Sequence, residues 1–175
     1  MSYLVIAASL NPQSRSRILA RAARDAFQKR GRQVVLLDLA KHPLPLCDGD
    51  AAYNDPNARE VSRMVQTAEG ILLATPIYNF DANAAAKNLV ELTGNAWQDK
   101  VVGFLCAAGG KSSYMSVMSL ANSLMLDFRC LILPRFVYAT GEAFEGEALI
   151  DADVRDRLDD LVGALIELSR ATARG

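Results

Sequence analysis

Three short segments of the chain gather residue types able to hold a charged or planar ligand. The first, Ser9-Leu10-Asn11-Pro12-Gln13-Ser14-Arg15-Ser16, puts three hydroxyls, those of Ser9, Ser14 and Ser16, between an apolar run and an amphipathic stretch. Hydroxyls and the free N–H groups of a helix start can together hydrogen-bond a phosphate, and the positive end of the helix dipole favours its charge. The same residues also fit a plain helix cap, with Ser14 accepting one backbone bond and Arg15 in solvent. Neither GxGxxG nor GxxxxGK[ST] occurs there, so a Rossmann dinucleotide loop and a P-loop are not expected. The second segment, Thr75-Pro76-Ile77-Tyr78-Asn79-Phe80, reads as a proline-shaped loop from a strand into a helix. The third runs from Ala107 to Tyr114 and contains Ala108-Gly109-Gly110 followed by Ser112 and Ser113. Adjacent glycines let backbone approach a ligand closely, or simply make a flexible turn with either serine as N-cap.

Other reactive residue types offer less. His42 is the only histidine and stands beside Pro43 in an expected surface loop, so no Ser-His-Asp arrangement can be built. Cys47, Cys106 and Cys130 are odd in number and show neither a CxxC pair nor metal-ligand spacing, so a disulfide framework or structural zinc is not expected. Cys106 and Cys130 read as buried thiols. Trp97 reads as core or subunit contact, and Glu142, Glu145 and Glu147 as a solvated loop.

The elements that must position these segments are legible as two periodicities. Leu4 to Ala8, Val34 to Leu37, Ile71 to Ala74, Val101 to Ala107 and Leu131 to Tyr138 are short apolar runs without polar alternation, the pattern of strands covered on both faces. Between them lie helical patterns. Ile18, Leu19, Ala22, Ala23, Ala26 and Phe27 share one face, with Arg17, Arg21, Arg24 and Lys29 largely off it. A second helix carries Ala58, Val61, Met64, Val65 and Ala68 and begins at Asp55-Pro56, an N-cap acceptor and a proline at the first helical position. Others are expected from about Ala82 to Thr93, ending at Gly94, from Ser112 through Met125, and around Val154 to Leu168. Strand and helix alternating in this way specify a doubly wound α/β sheet with helices on both faces, read as a single domain over residues 1–175. Ligands bind such sheets outside the carboxyl ends of the strands, where the three segments fall.

Bulk properties narrow the partner. A formal net charge of −1, with no isolated basic block, gives no broad attraction for nucleic acid or an anionic membrane. No stretch approaches the roughly 18 apolar residues of a membrane span, and the first residues lack a basic leader pattern. The reading is a cytoplasmic protein with a small-molecule partner.

The motif T-P-I-Y-N at Thr75 to Asn79, followed by Lys87-Asn88, closely resembles the T-P-x-Y-N…K-N pattern of the NADPH-dependent FMN reductase family. The serine loop, Asp99-Lys100-Val101-Val102 and Ala108-Gly109-Gly110 extend the resemblance over most of the chain. It implies a flavodoxin-like fold with a five-stranded parallel sheet in the order 2-1-3-4-5. It also implies an FMN cofactor with NADPH or NADH as co-substrate, and a homodimer or homotetramer. By residue, it implies that Ser9, Ser14, Arg15 and Ser16 hold the phosphate and that Pro76, Ile77, Tyr78, Asn79 and Phe80 lie against the ring. Ala108, Gly109, Gly110 and Ser113 then meet its pyrimidine side. The residue types suit that role: a flavin needs a flat apolar flank and backbone donors at its polar edge, and the cofactor carries the chemistry. The acceptor would be a quinone, free flavin, azo compound or metal ion. The alternative is a flavodoxin-like electron carrier serving a protein partner, although such carriers are usually strongly acidic. The chain departs from the family at Asp81 to Ala86, where many relatives have a proline-glycine pair; Asp81 or Asn83 could cap the helix there. Lys87 is assigned no chemistry. Arg15 and Arg17 could each meet the 2′-phosphate of NADPH or lie in solvent.

Overall fold

A computed structural model describes residues 2–172. Alternate residues of each central strand face opposite ways and build two cores. Leu4, Ile6, Ile71, Leu73, Val102 and Phe104 pack on one side of the sheet, and Tyr3, Val5, Leu72, Ala74, Val101 and Leu105 on the other. The strands are β1 (Ser2–Ala7), β2 (Val34–Asp38), β3 (Ala68–Tyr78), β4 (Asp81–Ala82), β5 (Val101–Ala107), β6 (Leu131–Ile132), β7 (Val137–Ala139), β8 (Phe144–Glu145) and β9 (Ala148–Leu149). The helices are α1 (Arg15–Lys29), α2 (Pro56–Thr67), α3 (Ala84–Thr93), α4 (Met118–Phe128) and α5 (Ala152–Thr172). α1 and α5 cover the second core, and α2, α3 and α4 cover the first.

The main sheet runs β2-β1-β3-β5-β6, with β7 also paired to β5 and β4 to β3. Its parallel part is the flavodoxin-like order expected, with two additions. The fifth run is divided, because Pro134 and the left-handed Arg135 (φ 57°) interrupt it between β6 and β7. The third strand is longer than read: it continues through Pro76 to Tyr78 and turns back antiparallel into β4. Pro76 is tolerated inside a strand because β1 has already ended, its last bond to β3 being Ala8 N–H to the Ala74 carbonyl at 2.9 Å.

Several helix ends follow their sequence signals. Asp55 accepts bonds from the Asn57 and Ala58 N–H groups at 2.9 and 3.0 Å, with Pro56 opening α2. Gly94, at φ 41°, ends α3. The helix expected from Ser112 begins instead as a 3-10 turn over Lys111–Val117 before α4. Trp97 is fully buried, its indole N–H donating to Thr93 Oγ1 at 2.7 Å. Cys106 and Cys130 are buried, and burial pushes their thiols up to about 12 and about 11. The glutamate loop proves to hold the β8–β9 hairpin, with Glu147 in an ion pair to Arg21 at 3.0 Å.

Candidate functional site

The sheet register brings the segments of interest to one edge. Ala7 pairs with Ala74, Pro76 with Ala107, and Ala107 with Ala139, so the carboxyl ends of β1, β3, β5 and β7 lie side by side, neighbouring strands being about 4.8 Å apart.

At the end of β1 the chain makes a compact turn. Ser14 N–H bonds the Asn11 carbonyl at 3.1 Å, Asn11 N–H bonds Ser9 Oγ at 3.2 Å, and Gln13 N–H bonds Asn11 Oδ1 at 3.0 Å. Ser9, Ser14 and Ser16 are all buried. Ser14 occupies the N-cap of α1, yet its side chain makes no cap bond; its Oγ lies 2.8 Å from Ser16 Oγ. Of the two protons on that hydroxyl pair one joins the two oxygens, leaving one to donate elsewhere, and Ser9 keeps its own. The first-turn N–H groups of a helix have no intrahelical acceptor, and no acidic residue occupies the first turn of α1. The turn is therefore lined by donors at the positive end of a helix dipole, which suits a phosphate.

Arg15 and Arg17 part company here. Arg15 is exposed and lies over Gly141, where a Cβ would come 2.9 Å from its Nη1. Arg17, read from sequence as lying off the buried face, is instead buried in an ion pair with Asp38 at the end of β2. It is thus neither solvated nor free to meet a 2′-phosphate. Burial by itself would raise the Asp38 carboxyl, but the Arg17 bonds, the Ala40 N–H and the nearby charges of Arg17 and Lys41 hold it below its ordinary range.

At the end of β3, Tyr78 pairs with Asp81, so Asn79 and Phe80 form a two-residue hairpin turn. Both are left-handed, at φ 50° and 64°, as a type I′ turn requires. Asparagine tolerates that region; phenylalanine does so at a cost of about 1–2 kcal/mol. The turn leaves Tyr78 and Phe80 more than half exposed, at 54% and 67%, while Pro76 and Ile77 stay buried. Backbone strain of this kind gathers at ligand sites.

At the end of β5, Ala108 N–H bonds the Ala139 carbonyl at 2.9 Å. Tyr138 Oη donates to the Gly110 carbonyl at 2.5 Å and accepts from Ser113 Oγ at 2.7 Å. Tyr114 stacks on Phe136 with centroids 4.8 Å apart. Gly109 and Gly110 are exposed, and nothing lies within 4 Å of a Cβ built on either. An anchored loop with open space above two glycines admits the edge of a flat ring.

Asn83 and Asp81, which the sequence offers as helix caps, and Asn88 of the motif instead tie these loops together. Asn83 stands at the N-cap of α3 but does not cap it with its side chain. Its Nδ2 donates to the Ala8 carbonyl at 2.9 Å, and its Oδ1 accepts from Thr75 Oγ1 at 2.9 Å, joining the ends of β1 and β3. Asp81 does not cap either; it accepts from Ser119 Oγ at 2.6 Å, tying the hairpin to α4. Asn88 fixes the loop after β2 through the Pro45 carbonyl and the Cys47 N–H. Lys87 makes an exposed i,i+4 pair with Glu91, and His42 is half-buried with Nδ1 at 3.2 Å from the Asp38 carbonyl oxygen.

At the carboxyl ends of this flavodoxin-like sheet, where such sheets bind their ligands, stand a hydroxyl-lined turn, an exposed aromatic hairpin and an open diglycine loop. The family model described as NADPH-dependent FMN reductase matches residues 1–145, and the chain belongs to that family. It is an FMN-dependent NAD(P)H oxidoreductase. It is 30% identical over 139 residues to the NAD(P)H-dependent FAD/FMN reductase of Geobacillus thermodenitrificans, covering 77% of this chain and 75% of that one. It is 26% identical over 168 residues to an NADPH azoreductase of Bacillus sp., covering 94% and 90% respectively. In fold it is similar to the flavoenzyme NAD(P)H:(acceptor) oxidoreductase FerB of Paracoccus denitrificans, with a TM-score of 0.79, 18% identity and 97% of each chain covered.

Proposed function

We propose that residues 1–175 act as one FMN-binding domain that reduces a small-molecule acceptor of the quinone, flavin, azo or metal-ion type at the expense of NADPH or NADH. The relatives named as an azoreductase and an NADPH:quinone oxidoreductase support that acceptor range. Bound FMN supplies the hydride exchange; the protein's part is to hold, orient and shield. The observation that carries the assignment is the hydroxyl-lined turn at the end of β1, with three buried serine hydroxyls and no carboxylate from Ser9 to Ser16. Ser9, Ser14 and Ser16 and the first-turn N–H groups of Arg15 and Ser16 would hold the phosphate. Pro76, Ile77, Tyr78, Asn79 and Phe80 would flank the ring, with Ala108, Gly109, Gly110 and Ser113 at its polar edge.

We further propose that the protein is a cytoplasmic homodimer or homotetramer. Tyr114, Met115, Met118, Met125 and Leu126 form an exposed apolar group on α4 and the turn before it, which supports subunit contact there. None of the described helices is long and apolar enough to cross a membrane.

FMN is expected to raise the melting temperature of the apoprotein, the gain being about 2.7 kcal/mol at a ligand concentration of 100 Kd. Melting that does not respond to FMN would overturn the assignment. Phe80→Gly separates strain from function in the hairpin. Glycine relieves the left-handed strain, so apoprotein stability should hold or rise by up to about 1 kcal/mol, while FMN binds more weakly for want of an aromatic flank. Urea denaturation and FMN titration of the same variant check the two halves.

A further inference from the structure

The guanidinium of Arg17 makes four hydrogen bonds, each to a protein acceptor. Nε donates to Asp38 Oδ2 at 2.8 Å and Nη2 to Asp38 Oδ1 at 2.8 Å. Nη2 also donates to the Ser9 carbonyl at 3.1 Å, and Nη1 to the Asn11 carbonyl. The side chains are 6% and 12% exposed. Asp38 is held in turn by the Ala40 N–H at 3.2 Å, and the next residue, Leu39, donates its N–H to the Ala7 carbonyl at 3.0 Å. A rigid path thus runs from the end of β2 through a bidentate pair to two carbonyls of the turn that carries Ser9.

We propose that Arg17, locked by Asp38, is a positioning residue for phosphate binding: by holding the Ser9 and Asn11 carbonyls it keeps the turn in the shape that presents donors to the phosphate of FMN. The inference rests on the phosphate assignment above. Arg17 does not meet the anion itself, since Asp38 neutralises it and two backbone carbonyls occupy its fork. What it controls is which way the turn points its acceptors. A carbonyl is a poor neighbour for a phosphate, and a trans peptide sends its C=O and the following N–H in opposite directions. Drawing the Ser9 oxygen onto Arg17 therefore turns the Leu10 N–H away from Arg17. A planar fork holds two carbonyls and a carboxylate at once; a lysine ammonium has no such fixed geometry.

The test compares FMN with riboflavin, which lacks the phosphate. Apoprotein is titrated with each flavin for the wild type, for Arg17→Lys, which keeps the charge, and for the double variant Arg17→Met, Asp38→Leu, which removes both charges at similar volume. In variants that melt cooperatively, riboflavin affinity should be unchanged. The preference for FMN should fall about tenfold, the size of one lost hydrogen bond to a charged group. A folded variant with the wild-type preference, or one that loses both flavins equally, would overturn the proposal, and Arg17→Lys decides the matter if the double variant does not fold. A wild-type protein that itself shows no preference for FMN over riboflavin would overturn the phosphate assignment and this inference with it.

Discussion

Arg17→Ala is expected to lose about 3–5 kcal/mol of folding stability at neutral pH, because it leaves the Asp38 carboxylate buried without its counter-charge. The pH dependence should also change sign. In the wild type the Asp38 carboxyl is held below its ordinary range, so its contribution is present above the unfolded value of about 3.9 and is lost as pH falls through the folded value. In Arg17→Ala burial is left as the dominant influence and raises the carboxyl above its unfolded value. The folded state then binds more protons than the unfolded state, and stability recovers as pH falls. Urea denaturation at neutral pH and at about pH 4.5 should show the gap between variant and wild type narrowing toward acid. A gap that is constant or widens would mean that Asp38 is not the uncompensated group.

Ser14→Ala is expected to weaken FMN binding by about 1.5–3 kcal/mol, the value of a hydrogen bond to a charged group, and to cost the apoprotein about 1–3 kcal/mol, because the buried Ser16 hydroxyl loses its partner. The loss of affinity is what distinguishes the roles open to this residue. A capping serine replaced by alanine costs about 1 kcal/mol of protein stability and has no reason to alter ligand affinity. Ser14 sits at the N-cap position with its side chain turned to Ser16 Oγ instead of capping the helix. Ser16, fully buried, would lose its partner in the variant. Ser16→Ala should therefore show an overlapping rather than additive loss. Fluorescence titration with FMN and thermal melting of the apoprotein measure both quantities.

The parts of this fold that were legible in the sequence are those fixed by local pattern. Leu4 to Ala8 and Val101 to Ala107 read as strands because two-sided burial leaves no polar alternation, and Asp55-Pro56 and Gly94 mark helix ends by capping and left-handed geometry. The hairpin at Asn79-Phe80 was hidden. Its turn lacks the glycine that signals a type I′ loop, and Pro76 suggests a strand already over, whereas the end of β1 makes the proline harmless. Arg17 was misplaced because an arginine in a first helical turn reads as solvated; its partner Asp38 lies 21 residues away, at the end of a neighbouring strand. Asn83 likewise acts across strands, reaching a carbonyl 75 residues distant. Local periodicity shows where ligand loops begin, and not the hydrogen bonds between loops that hold them in register. The family motif marks Pro76 to Asn79 as a segment and carries no information on the hairpin they form.

The most direct test of the central claim is an anaerobic titration of the FMN-loaded protein with NADPH and NADH, followed by addition of a quinone. The yellow absorbance is expected to bleach as the nicotinamide is oxidised and to return when the quinone is added. A protein that binds FMN but keeps its absorbance unchanged with either nicotinamide would contradict the assignment as an NAD(P)H oxidoreductase.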